Sequence, residues 1–174
     1  PVLLATQTAL LDNLSHGRLI VGTGRGTAVN HFEYAGFGTT MEEGAKKLAE
    51  AEDLLVKAWT TENLRYEGKF WNVAFPMIRP RPYQKPHPPI AVASVSVGSE
   101  TLKIAGERGL IPMSLGLIAE YIASHWESVT EGANRTGRSP SRKDWRIVRD
   151  VFVADSDDEA YEASVNGMLG RVWR

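Results

Sequence analysis

The chain has 174 residues, 43% of them hydrophobic and 24% charged, with a formal net charge of −1 and no cysteine. That is the make-up of an ordinary folded domain rather than a disordered or disulfide-built chain, and its intermixed charges leave no footprint for nucleic acid or an anionic membrane. Its longest apolar runs, such as residues 9–11 and 89–93, fall far short of the ~20 residues of a membrane-spanning helix. The lack of cysteine removes thiolate chemistry and fits a reducing compartment, so the cytoplasm is the expected location.

In chain order, Leu3, Leu4, Leu10, Leu11 and Leu14 recur at near-helical spacing and predict a helix over residues 2–14, stopped at Ser15-His16-Gly17. Residues 18–24 read as a short buried strand running into Gly22-Thr23-Gly24-Arg25-Gly26, where glycines permit backbone that other residues avoid. A loop with His31, Phe32, Tyr34 and Phe37 follows, and then Thr39 or Thr40 caps a helix reaching about Trp59. Residues 60–88 read as an insertion, with a hairpin tip at Tyr66-Glu67-Gly68-Lys69-Phe70-Trp71 and five prolines that forbid a regular helix.

Residues 89–94 are apolar on both faces, as a covered parallel strand is, and a Ser/Gly-rich loop and a helix over 99–108 come next. Gly109 ends that helix. A strand at 110–115, a helix at 119–134, a strand at 145–154 and an acid-rich helix start at 155–159 complete the chain. Alternating elements of this kind specify an α/β fold, either an open doubly wound sheet or a closed (β/α)8 barrel. About four strands is half of a barrel that takes ~250 residues. Both ends fall inside helical patterns, so the chain is expected to be one domain, an internal fragment of a longer barrel.

In either architecture ligands bind beyond the carboxyl ends of the strands, which selects the loops 23–34, 94–99, 114–117 and 154–157. Arg25, between two glycines, presents a permanently charged fork suited to a phosphate or carboxylate; the plainer alternative is a surface ion pair. The loop Ser94-Val95-Ser96-Val97-Gly98-Ser99 offers hydroxyls and free N–H groups at a helix start, where an anion is favoured, unless Ser99 serves only as an N-cap. His31 and Phe32, with Met113 on the strand at 110–115, are the candidates to contact a substrate. His16, His87 and His125 read as structural or exposed, and no histidine spacing argues for a metal. With no Gly-x-Ser-x-Gly elbow and no acid pair in these loops, a cofactor that carries the reaction fits the scarcity of reactive groups.

Leu10-Leu11-Asp12-Asn13-Leu14-Ser15-His16-Gly17-Arg18-Leu19 resembles the signature of the bacterial-luciferase-like flavin monooxygenases, and Gly22-Thr23-Gly24-Arg25-Gly26 follows it as in that family. The hairpin at 66–71 comes next in the same order, and the segment from Pro80 to Ile90, the strand Ala91-Val92-Ala93-Ser94, His125-Trp126 and Asp144-Trp145-Arg146 look most like the alkanal and limonene monooxygenase branch. The resemblance implies part of a TIM barrel in which reduced FMN from a separate NAD(P)H flavin reductase reacts with O2 to give a flavin C4a-peroxide. That species oxygenates a small apolar aldehyde, ketone or alkene. It also implies a homo- or heterodimer at full length.

By the same resemblance Arg25, Gly26 and Thr27 meet the FMN phosphate, and Ser94, Ser96, Val97, Gly98, Ser99 and Thr101 form the second phosphate loop. No catalytic residue carries over, and the 174 residues alone are expected to be inactive. An F420-dependent hydride-transfer enzyme of the same fold, and a non-catalytic luciferase-like barrel protein, stand as the alternatives.

Overall fold

A computed structural model describes residues 1–27, 30–115, 119–149, 151–167 and 170. Four parallel strands, β1 (Val21–Thr23), β4 (Ile90–Ser94), β5 (Ile111–Leu115) and β6 (Arg146–Val148), form one sheet in the order β1-β4-β5-β6. The helix α1 (Val2–Leu14) precedes them, α2 (His31–Gly36), α3 (Met41–Thr60), α4 (Glu100–Arg108) and α5 (Ala119–Arg135) run between them, and α6 (Asp157–Asn166) follows. The strand-helix alternation and the parallel pairing make this α/β chain a partial (β/α)8 barrel.

Local sequence sets the helix starts. The hydroxyls of Thr40, Ser99 and Ser156 accept from the N–H groups of Glu43, Leu102 and Glu159 respectively, satisfying first-turn donors that have no helical partner. Gly109 ends α4 in the left-handed region at φ +71°, which costs a glycine little.

The core lies between α1, α3 and the sheet. Ala5, Ala9, Leu54, Leu55, Ala58 and Trp59 are buried there with Val21 and Ile90. The Trp59 indole N–H donates to the Ala5 carbonyl at 3.0 Å, so small residues on α1 let the two helices approach. Each large apolar side chain buried in this way contributes about 1.5–3 kcal/mol. The α1 helix therefore buries its Ala5, Thr8, Ala9 and Asp12 face, while Leu3, Leu10, Leu11 and Leu14 are exposed.

Several expectations change. The first strand covers only Val21–Thr23 rather than 18–24, and the strand expected over 145–154 pairs only at Arg146–Val148. Its continuation, Val151, Phe152 and Val153, is exposed. The segment with His31, Phe32 and Tyr34 is the short helix α2, not an irregular loop. Within 60–88, β2 (Leu64–Glu67) and β3 (Asn72–Phe75) form a separate antiparallel hairpin. Its tip is held by the Glu50 carboxylate, which accepts from the backbone N–H groups of Lys69, Phe70 and Trp71. Ala28, Val29, Gly116, Leu117 and most of the helix expected at 167–174 lie outside the described residues.

Candidate functional site

The register of the sheet brings two loops together. Thr23 on β1 lies opposite Val92 on β4, so the chain leaves β1 as Gly24-Arg25-Gly26-Thr27 beside the point where β4 ends at Ser94. Both loops rise from adjacent strands at their carboxyl edge, the place where an α/β sheet receives ligands.

The first loop is held from behind. The Tyr34 hydroxyl donates to the Arg25 carbonyl, and the Asn30 side-chain oxygen accepts from the Thr27 N–H at 2.9 Å and from the Thr27 hydroxyl at 3.3 Å. Gly26 sits at φ +79°, and a Cβ there would press on Asn30 and Tyr34, whereas the space beside Gly22 and Gly24 is open. With its backbone anchored, Arg25 turns its exposed side chain outward. Arg108 and Arg135 make ion pairs, whereas the surface-pair alternative for Arg25 finds no acidic partner among the described residues.

In the second loop the Ser96 N–H donates to the Ser94 hydroxyl at 3.2 Å, and the Gly98 N–H donates to the Ser124 hydroxyl on α5 at 3.4 Å. Gly98 is left-handed at φ +61°. Ser99 is buried and caps α4 through Leu102 at 3.2 Å, so its hydroxyl is committed to the helix. The N–H groups of Glu100 and Thr101, in the first turn, have no preceding helical carbonyl to reach. Glu100 itself is exposed and turned to Lys103 and Arg135 at 3.7 and 3.6 Å, away from an anion's needs.

A phosphate needs convergent donors, a positive charge and no competing carboxylate. The two loops carry groups that could hold one: the Arg25 guanidinium and the Ser96 hydroxyl, both exposed, and the α4 first turn. The fit rests on the donor set and on two glycine turns that keep side chains out of the way.

Other sequence candidates are placed differently. His31 and Phe32 are exposed on α2 with their rings edge to face at 5.5 Å. Met113, half-buried on β5, stands in register between Ala93 and Arg146. It therefore shares with them the sheet face turned from the helices, because its neighbour Ser114 meets α5. His16 is exposed, and His87 stacks on Trp59 at 5.4 Å. His125 is fully buried. Among the described residues no group of three His, Asp or Glu side chains could hold a metal, and no helix is long and apolar enough to cross a membrane.

Sequence reading missed the anchors behind the loops: Tyr34, Glu52 and His125. Glu52 is buried on α3 and accepts from the Thr23 hydroxyl at 2.7 Å and from Arg108 at 2.9 Å. A buried acid within a helical pattern was the available signal for it. Clefts of about 310 and 460 Å³ open at the other end of the strands, around Gly109–Pro112 and Arg108–Ile111. They are remote from the carboxyl edge and from the paired loops.

With this geometry in view, the sequence matches the model of one protein family, described as luciferase-like monooxygenase, over residues 1–172. The chain belongs to the luciferase-like monooxygenase family. It is 27% identical to 3,6-diketocamphane 1,6-monooxygenase of Pseudomonas putida, over 98% of this chain and 51% of that protein. Limonene 1,2-monooxygenase of Rhodococcus erythropolis is 25% identical over 97% of this chain and 43% of its own length. An F420-dependent glucose-6-phosphate dehydrogenase of Kribbella flavida is 29% identical over 92% of this chain and 47% of its own.

Among solved structures, the oxygenating constituent of 3,6-diketocamphane monooxygenase from P. putida, a type II Baeyer-Villiger monooxygenase in complex with FMN, superimposes with a TM-score of 0.87. The identity is 27%, over 99% of this chain and 50% of that one. The chain thus spans about half the length of the luciferase-like relatives it matches.

Proposed function

We propose that the full-length protein is a flavin-dependent monooxygenase that uses reduced FMN and O2 to oxygenate a small apolar aldehyde, ketone or alkene. The observation that carries this reading is the pairing of the Arg25 loop with the loop 94–99 at one strand edge. The family membership supports it, as do relatives named for oxygenating a diketone and a cyclic alkene.

When bound, reduced FMN supplies the electrons that activate O2; the protein holds and orients. Arg25 opposes the phosphate charge, with Gly26 and Thr27 beside it. Ser94 shapes the second loop by accepting from the Ser96 N–H. Ser96 and Val97 offer donors, Gly98 makes the turn, and Ser99 and Thr101 begin the helix whose dipole favours the anion. His31 and Phe32, exposed on α2, would cover a ring system, and Met113 would meet the substrate from the inner face of the sheet. A separate NAD(P)H flavin reductase in the cytoplasm delivers the reduced flavin, in keeping with a relative described as an oxygenating constituent. At full length the protein is a homo- or heterodimer.

A second reading, an F420-dependent hydride-transfer enzyme, is favoured by the similarity to an F420-dependent dehydrogenase; its cofactor also carries a phosphate that these loops suit. The single-residue test of the phosphate assignment is Arg25→Ala in the full-length protein. Affinity for reduced FMN is expected to fall about ten- to a hundredfold, as loss of a charge-assisted bidentate contact does. Affinity for reduced riboflavin, which has no phosphate, stays the same. An unchanged affinity for FMN contradicts the assignment.

A further inference from the structure

His125 is buried on α5, yet both of its ring nitrogens are engaged. Nε2 lies 2.9 Å from the Ser96 carbonyl oxygen and Nδ1 lies 2.9 Å from the Ser114 hydroxyl, which in turn lies 2.8 Å from the Trp145 indole nitrogen. The chemistry of the partners sets the direction of this chain for a neutral ring. A carbonyl only accepts, so Nε2 carries the proton and Nδ1 is left to accept; an indole N–H only donates, so the Ser114 oxygen accepts from Trp145 and gives its own proton to Nδ1. Every polar atom in the chain is used once in the sense it requires, and the ring is held as the Nε2–H tautomer.

The far end of this chain is the loop 94–99. Val95, Ser96, Val97 and Gly98 are exposed, so the loop has little packing of its own to set its shape. Its ties are to α5: the Ser96 carbonyl on His125 and the Gly98 N–H on Ser124. In a trans peptide the C=O and the following N–H point in opposite directions. With the Ser96 carbonyl drawn back to His125 in the helix layer, the Val97 N–H faces away from that layer.

We propose that His125 is a positioning residue: it fixes the Ser96–Val97 peptide so that the Val97 N–H is presented on the side where the cofactor phosphate binds. This rests on the phosphate reading of the loop given above. His125 does not touch the cofactor. It acts through one peptide plane, and Trp145 and Ser114 act through it.

The test uses the full-length protein with His125→Gln, His125→Leu and wild type, each titrated anaerobically with reduced FMN and with reduced riboflavin. A glutamine side-chain nitrogen reaches the position of Nε2 and keeps the donor to Ser96, whereas leucine keeps bulk alone. His125→Leu is expected to lose about tenfold in affinity for FMN, as loss of an orienting buried hydrogen bond does, and to bind riboflavin unchanged. His125→Gln stays within about threefold of wild type for both, since it restores that bond.

A wild-type ratio of FMN to riboflavin affinity in folded His125→Leu, or an equal loss for both flavins, overturns the proposal and leaves the phosphate reading intact. A wild-type protein with no preference for FMN over riboflavin overturns both. Should the variants fail to fold, nitrogen-15 NMR of the wild-type ring decides independently: the Nε2–H tautomer is expected, and the Nδ1–H tautomer overturns the latch.

Discussion

Glu52 shows how single residues behind the loops carry the site. Its side chain is 8% exposed, and it joins three elements by accepting from Thr23 on β1 and Arg108 on α4. Thr23 is the residue from which the Arg25 loop springs, so the carboxylate anchors the loop's root. A buried ion pair is weak evidence for net stability, but removing one partner strands the other. The Arg108 side chain is 41% exposed and can recover water, which limits the penalty. Glu52→Ala is expected to destabilise the folded protein by about 1–3 kcal/mol, read as a lower denaturant midpoint. An unchanged midpoint would show that Thr23 and Arg108 find other partners at no cost.

At the scale of elements, the closest packing is between α4 and α5. A Cβ on Gly132 would overlap the Lys103 carbonyl, and one on Gly106 would overlap that of Val129. Backbone cannot yield as a flexible side chain does, so Gly132→Ala is expected to cost about 1–3 kcal/mol or to push the helices apart. Thermal unfolding monitors the cost; a melting point equal to wild type would mean the helices are free to slide.

The exposed rims of the same two helices hold a charge cluster. Hydrogen bonds from Lys103 and Arg135 hold the Glu131 carboxyl below its ordinary range. A carboxyl lowered in the folded state contributes stability that is present above its unfolded value and lost as pH falls through the folded one. Wild type should therefore lose more melting temperature than Glu131→Gln as the solution is acidified below the ordinary carboxylate range. Parallel losses would show that this cluster contributes nothing.

Helix starts were legible in the sequence: the cap at Thr39 or Thr40, the loop ending at Ser99 and the acid-rich stretch 155–159 each announce a helix that forms. The strand at Ile90–Ser94 was equally plain, since an apolar run is what a parallel strand covered on both faces of a barrel wall requires. Where reading failed, the cause was tertiary. Leucine spacing marks α1 as a helix, but small residues on its other face are what α3 packs against. The six-residue α2 is too short for periodicity to register. The apolar run after β6 reads as strand, yet pairing stops at Val148. Of the site, Arg25 and the loop 94–99 were visible as charge and glycine among hydroxyls. Their anchors were not, because Glu52 and His125 gain meaning only from partners 29 residues away, Thr23 and Ser96.

At the scale of the whole molecule, the sheet covers one face with helices and leaves the other open. Ala93, Leu115 and Val148 are exposed on it or at its rim, and a closed barrel covers such a face with the strands opposite. The relatives are about twice as long as this chain. In the function proposed above, the paired loops grip the cofactor phosphate and the rest of a complete barrel walls in the flavin ring. The most direct test of the flavin reading is therefore made on the full-length protein, titrated under anaerobic conditions with reduced FMN and, separately, with F420. Reduced FMN is expected to bind at about micromolar concentration, roughly 8 kcal/mol of binding free energy, and F420 far more weakly. Failure to bind reduced FMN at that concentration, or a preference for F420, would contradict the flavin reading.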